Sequence, residues 1–333
     1  MKTAIRLCSL LLFLFVMSSC SDSVKCKKNL NASGIGQKEG VDYISMFNSK
    51  KPLSTCSKYR ISDFRPEFDS VLHEGNVAYY GLIAQAQEDS VLAKKVADVS
   101  TKSNLWEYGY GYGATSADSA IVLEALIQLD VRREKIDKSL DSMIVKYYDN
   151  RQGCFKTVEG IGRAKYWKGC SAGVTAHIGF LLNRFNSDKY RDIIEKCADY
   201  VSKNRGPKGL WSSRWFPSFT VPTYYSIRLL KNFKDKYKDI ISKAVDAVKT
   251  SQNEDGSWSG SVIETSAAVL TLKLVKEDGE VFSEAEKWLK NNDNSSPEPI
   301  LFYWFEKRRH KMFFSCYDDG DISLAWKKIA LNK

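Results

Sequence analysis

The sequence predicts an all-α protein in which five or six helical hairpins close into an α/α toroid. Two observations lead to this fold. A unit of turn, aromatic residue and helix recurs along the chain, and helices with one apolar face alternate with helices that are apolar nearly all round. A one-sided helix covers a core, whereas a helix that is apolar on every side is buried. The alternation therefore predicts an outer ring of helices around an inner ring, and no convincing β-sheet pattern accompanies it.

Each repeated unit begins at an aromatic anchor, and successive anchors lie roughly 50 residues apart, a spacing that fits two helices and their loops. The anchors are Trp106, Phe155, Trp211 and Trp258. Each precedes a helix that opens in small or hydroxyl residues and finishes in leucine. A tryptophan there is predicted to wedge between neighbouring hairpins and to donate its indole N–H to a loop carbonyl.

The outer helices are predicted from their charged, one-sided patterns at residues 131–148, 187–204, 233–251 and 280–291. The inner helices follow the anchors. The stretches "FDSVLHEGNVAYYGLIAQA" near the start and "DISLAWKKIAL" at the end supply the remaining hairpins.

The N-terminus predicts export. Its apolar run, Leu10–Val16, is far shorter than the roughly 20 residues of a membrane-spanning helix, so residues 1–19 are predicted to be a cleaved signal peptide. The ending "MSSC" resembles a bacterial lipobox, which implies lipidation of Cys20 and a lipid-anchored protein of the cell envelope, periplasmic or at the outer membrane. Secretion without a lipid is the alternative. Residues 20–57 then form a flexible tether and residues 58–333 the toroid.

Charge and cysteine content exclude several classes of function. The net charge of +10 comes from scattered lysines, which indicate a solvated face and no nucleic-acid partner. No C-x-x-C pair or Cys/His cluster exists, so no metal or other cofactor is expected. Beyond Cys20, the cysteines either form disulfides or remain buried thiols: Cys26, Cys56, Cys154, Cys170, Cys197 and Cys316.

Several segments resemble the terpene cyclase and protein prenyltransferase superfamily. "QNEDGSW" is similar to the family's Q-W repeat, and "SVIETSAAVLTL" to the helix that follows it. "SSRWFPSFTVPTYYSIRLL" and "GCSAGVTAHIGFLL" are similar to segments of class II diterpene cyclases. The resemblance extends from about Asn104 to Val275, with the segments in the family's order, and it implies the α/α toroid.

The same resemblance places a difference at the family's proton donor. Class II cyclases protonate an alkene with the middle aspartate of D-x-D-D-T-A, and the corresponding stretch here is "TSADSA", with Ala117 at the acid position and Asp118 retained. Standard class II chemistry is therefore not expected. The class I motif D-D-x-x-D is absent, since "DDGD" has a different spacing, and the zinc set of the protein prenyltransferases is not evident.

Asp118 and Glu264 are the candidate catalytic residues. Both lie at the start of a predicted inner helix, and in a toroid these helix N-termini converge on one end of the cavity. Two carboxylates across a cavity suit general acid/base chemistry, including glycoside cleavage. The alternative for each is a helix cap.

The candidate ligand-binding residues are aromatic or charged groups predicted at turns and inner helices: Tyr110, Tyr112, Trp167, His177, Arg214, Trp215, Tyr224 and Asp321. The run "YGYGYG" indicates an aromatic lip to the cavity. For His177 the alternative is a satisfied core histidine, for Asp321 a cap, and for Arg214 an exposed charge.

The leading functional hypothesis is a lipid-anchored envelope protein whose central aromatic cavity binds a hydrophobic or peptide ligand, with class II activity divergent or absent. One alternative is a working terpene cyclase or prenyltransferase-like enzyme. Another is a carbohydrate-active enzyme, a glycoside hydrolase or lyase, which uses Asp118 and Glu264 on a glycan.

Overall fold

A computed structural model describes residues 77–107, 113–158, 169–213, 219–292, 302–306, 311–315 and 321–332. The side chains of the two segments between 302 and 315 are outside this description. So are the predicted signal peptide, the tether and Cys20. Within the described residues, no helix has both the length and the apolar character to cross a membrane.

The helices, in chain order, are α1 (Val77–Gln87), α2 (Ser90–Asp98), α3 (Ser116–Gln128), α4 (Arg133–Tyr147), α5 (Ala172–Asn186), α6 (Arg191–Lys203), α7 (Thr220–Leu230), α8 (Lys238–Thr250), α9 (Val262–Leu274), α10 (Glu280–Asn291) and α11 (Asp321–Asn332). Two 3₁₀ segments, Pro207–Gly209 and Lys231–Tyr237, join some of them. The strands are β1 (Tyr148–Asp149), β2 (Cys154–Phe155), β3 (Phe302–Glu306) and β4 (Lys311–Ser315).

The odd-numbered helices form a closed inner ring. Each packs against the next odd-numbered helix along the chain, and α11 packs against α1. The even-numbered helices lie outside, each packed against the inner helix that precedes it. The predicted α/α toroid is therefore confirmed, with six inner helices in the described part of the chain.

Burial separates the two layers as the sequence pattern predicts. Every residue of α7 is buried, whereas α8, on the outside, buries only Ala244, Val245 and Val248. An inner helix is covered by a neighbouring inner helix on each flank and by an outer helix behind it. Its remaining face is turned toward the ring axis. The small residues of α9, such as Ala267 and Ala268, let these helices approach one another closely.

Three tryptophan anchors make the same hydrogen bond. Each indole Nε1 donates to the backbone carbonyl of the valine ten positions earlier, at 2.8, 2.8 and 2.9 Å: Trp106 to Val96, Trp211 to Val201 and Trp258 to Val248. All three indoles are buried, which confirms the predicted wedge. The predicted loop acceptor is wrong, because the valines lie in the last turn of the preceding outer helix, where carbonyls lack partners within the helix.

A second shared contact explains the hydroxyl residues that open the inner helices. The backbone N–H of each anchor donates to a hydroxyl at the fourth residue of the next inner helix, over 3.0 to 3.2 Å. The acceptors are Ser119, Thr175, Thr223 and Thr265. Each tryptophan anchor thus fixes the turn to the helices on both sides of it.

The second unit departs from this pattern. Phe155 has no N–H on its ring, and a disulfide between Cys154 and Cys170 joins the two sides of its loop instead. Cys197 is a buried free thiol, so both fates predicted for the cysteines occur.

The sequence analysis missed two antiparallel hairpins, β1–β2 and β3–β4. The strands of the first hairpin are two residues long, too short to show alternation.

Candidate functional site

One face of each inner helix points to the ring axis, and α3 identifies that face. Ala117, Ile121 and Glu124 recur at the spacing of one helical face. Glu124 contacts side chains from three other inner helices, which is possible only toward the interior of the ring. Ala117 and Ile121 therefore line the same axis, about 10 and 5 Å from Glu124 along the helix.

Glu124 is the centre of a buried polar cluster. Its Oε2 lies 2.7 Å from His177 Nε2 on α5, and its Oε1 lies 2.7 Å from an Arg228 guanidinium nitrogen, NH2, on α7. Gln85 Nε2 on α1 donates to Glu124 Oε1 at 3.4 Å and to Gln128 Oε1 at 2.7 Å. Four inner helices thus converge on one carboxylate, which satisfies a charge that burial would otherwise make costly.

Arg228 lies among aromatic rings. Its guanidinium carbon is 3.8 Å from the centroid of the Phe180 ring and 4.9 Å from that of Tyr224. Burial lowers the pKa of the guanidinium, but the Glu124 carboxylate outweighs burial and the pKa is raised, so the side chain stays charged. The nitrogen NH1 is buried, and no hydrogen-bond partner for it lies in the described part of the chain.

His177 occupies the axis beside this pair. Burial lowers its pKa despite the hydrogen bond to Glu124, so the imidazole is neutral at neutral pH and donates its Nε2–H to the carboxylate. Its ring stacks on Tyr225 with centroids 4.0 Å apart. Tyr224 and Tyr225 in turn make edge contacts with Trp326 of α11. Of the predicted ligand-binding residues, His177 and Tyr224 thus belong to one cluster.

Asp118 lies in the first turn of α3, and Thr115 is the residue that caps this helix. Its backbone N–H donates to Thr115 Oγ1 at 3.0 Å, and the same hydroxyl donates back to the carboxylate. Burial raises the pKa of Asp118 to about 6. Asp118 follows Ala117 directly in the sequence, so its side chain is rotated about 100° around the helix from the face that Ala117 turns to the axis. This geometry favours the capping interpretation over a general acid on the axis.

Glu264 holds the equivalent position on α9, which lies opposite α3 in the ring. Its N–H donates to Ser261 Oγ at 3.1 Å, and its Oε2 accepts a hydrogen bond from Thr220 Oγ1 at 2.7 Å. Glu264 therefore joins α9 to α7 through its side chain.

The other predicted site residues fall outside the description. These are Tyr110, Tyr112, Trp167, Arg214 and Trp215, together with the side chain of Asp321, whose backbone begins α11. The described residues contain no group of His, Cys, Asp and Glu that could hold a metal ion.

Sequence reasoning missed Glu124, Arg228 and Gln85. Each is the ninth residue of its inner helix, and the first two are charged residues in helices that are otherwise apolar or small. Alignment of the repeats by helix position would have placed them at one level of the ring.

The family model of the squalene-hopene cyclase C-terminal domain matches residues 85–268. No curated protein matches the sequence.

Among solved structures, ent-copalyl diphosphate synthase from Streptomyces platensis superposes with a TM-score of 0.60 at 19% identity, over 77% of this chain and 50% of that protein. The chain thus spans half the length of that protein. A variant of the type II terpene cyclase MstE from Scytonema, solved with geranylgeranyl dihydroxybenzoate, superposes with a TM-score of 0.59 at 15% identity, over 77% of this chain and 85% of that one. At these identities the superpositions establish the fold.

Proposed function

Because the chain belongs to the squalene-hopene cyclase family, we propose that its ring axis binds an apolar ligand and does not carry out class II cyclisation. One observation carries this proposal. Where the resemblance places the proton donor, the residue on the axis is Ala117, and the neighbouring carboxyl of Asp118 accepts a hydrogen bond from the hydroxyl of the N-cap residue Thr115.

The chemistry of protonation supports the loss of cyclase activity. An alkene is a very weak base, so its protonation needs a strong carboxylic acid placed against it. Burial raises the pKa of Asp118 to about 6, which makes that group a weaker acid than an ordinary aspartic acid. Asp118 is unsuited to the missing role in both position and acidity.

The lining of the axis supports binding of an apolar body. Ile121 and Phe180 are only partly buried although they belong to inner helices. Tyr225 of α7 makes an edge contact with Trp326 of α11. When a ligand covers apolar surface that is still accessible inside a ring, the free energy falls, which favours binding.

Location in the cell envelope is part of the proposal. The Cys154–Cys170 disulfide supports it, because disulfides persist in oxidising compartments and are rare in the cytosol. We expect a lipid on Cys20 to tether the protein to the membrane. Cys20→Ser should abolish palmitate labelling and release the protein from the membrane fraction; labelling that persists would rule out this attachment site.

The test of ligand binding is native mass spectrometry of the protein extracted from its own envelope. The expected result is a non-covalent mass adduct that organic solvent removes. The proposal would be contradicted if the spectrum showed apoprotein alone and the protein also failed to bind the neutral fluorophore N-phenyl-1-naphthylamine.

The test of the missing activity is incubation with linear polyprenyl substrates. We expect no cyclised product from the wild-type protein. A cyclised product that Asp118→Asn abolishes would instead establish the terpene cyclase alternative.

A further inference from the structure

The buried ion pair on the axis leaves one donor without an acceptor. NH2 of Arg228 bonds to Glu124, whereas NH1 of the same guanidinium is buried and has no hydrogen-bond partner among the residues that the structure describes. The Arg228 side chain is 7% exposed. A buried donor without a partner destabilises a protein, so an acceptor brought by a ligand would be bound favourably there.

The charges around NH1 select the kind of acceptor. Glu124 carries one negative charge and Arg228 one positive charge, and His177 is neutral at neutral pH because burial lowers its pKa. The cluster is therefore already balanced. An uncharged oxygen would satisfy NH1 without adding charge, whereas a carboxylate or diphosphate would bring an unbalanced buried charge at high cost.

The position of NH1 indicates which part of a ligand reaches it. Arg228 lies at the same helix position on α7 as Glu124 on α3, seven residues beyond the level of Ala117. About 10 Å of axis, lined in part by Ile121 and Tyr225, separates the two levels. An elongated apolar molecule can therefore lie along the axis with its polar end at Arg228. Phe180 is partly buried and covers the guanidinium, so its side chain would have to move aside for a ligand oxygen to reach NH1.

We propose that the ligand is an uncharged amphipathic molecule with a terminal alcohol or carbonyl oxygen, and that this oxygen accepts a hydrogen bond from NH1 of Arg228. The inference rests on the proposed function, since it specifies the polar end of the molecule bound on the axis.

The experiment compares two probes of equal apolar length, farnesol and farnesyl diphosphate, by displacement of N-phenyl-1-naphthylamine. The fluorophore has no oxygen, so its own affinity reports the apolar axis alone. The full-length chain carries Cys20→Ser, which permits purification without detergent. Farnesol should bind at least about tenfold more tightly than the diphosphate.

Arg228→Lys is the informative variant, because lysine keeps a cation for Glu124 and removes the second guanidinium nitrogen. We expect affinity for farnesol to fall about tenfold relative to affinity for the fluorophore. If Arg228→Lys does not fold, the double variant Glu124→Gln/Arg228→Leu removes both charges together. It should show the same loss of farnesol affinity relative to the fluorophore.

The outcomes separate the two proposals. Absence of fluorophore binding would overturn the proposed function. Fluorophore binding with equal affinities for the two probes, or with farnesol affinity unchanged in a folded variant, would overturn the inference alone.

Discussion

Replacement of Trp211 by phenylalanine tests whether the anchors hold neighbouring hairpins together. The indole is fully buried and donates to the carbonyl of Val201 at 2.8 Å. That carbonyl also accepts the backbone N–H of Asn204 at 3.3 Å, so it keeps one partner and the lost hydrogen bond costs about 1 kcal/mol. The smaller ring leaves a cavity of about 40 Å³, which at about 24 cal/mol per Å³ costs about 1 kcal/mol more.

The free energy of unfolding should therefore fall by about 2 kcal/mol, and Tm by about 3–4 °C for a domain of this size. Urea unfolding followed by far-UV circular dichroism measures the first value without relying on tryptophan fluorescence.

Trp288→Phe is the matched control, because that indole donates at the surface to Asp255 at 3.2 Å and its loss should cost less than about 0.5 kcal/mol. Equal effects of the two substitutions would refute the anchor argument.

Three further predictions concern pH, the disulfide and the inner-helix hydroxyls. Burial raises the pKa of Asp118 from 3.8 to about 6, so stability present below pH 4 is lost as the pH rises through 6, by at most about 3 kcal/mol. Asp118→Asn should remove that difference, measured as Tm at pH 4 and pH 7.5. Reduction of Cys154–Cys170, which are 16 residues apart, should lower stability by about 3 kcal/mol in thermal unfolding with and without reductant. Thr265→Val removes the acceptor of the Trp258 N–H and should cost about 1–3 kcal/mol in urea unfolding.

Each of these predictions has its own control. An Asp118→Asn protein with the wild-type pH dependence would show that another group titrates. A Cys154→Ala/Cys170→Ala protein should not respond to reductant, and a response would point to a different bond. Thr271→Val loses a hydroxyl that donates within its own helix, to Ala267, and should be milder than Thr265→Val; the reverse order would contradict the anchor contact.

The sequence predicted the ring and its two layers because both depend on periodicity and repetition, which are local properties. The wedge role of Trp258 followed for the same reason. The polar cluster depends instead on side chains that meet across the ring, from helices far apart in the chain. Glu124 and Arg228 are 104 positions apart, and neither has a recognisable motif around it.

Asp118 shows the opposite limit. The sequence placed it correctly at the start of a buried helix, but could not decide between cap and acid. That decision depends on a rotation of about 100° between neighbouring helix positions and on the Asp118 rotamer, in which the carboxylate accepts a hydrogen bond from the Thr115 hydroxyl.

Because α11 packs against α1, the ring of inner helices is closed and no hairpin lies at an end of it. An open array of repeats can lose a terminal unit and keep the others, whereas removal of any hairpin from a closed ring exposes two inner helices and opens the axis. The same closure makes the fold suitable for circular permutation.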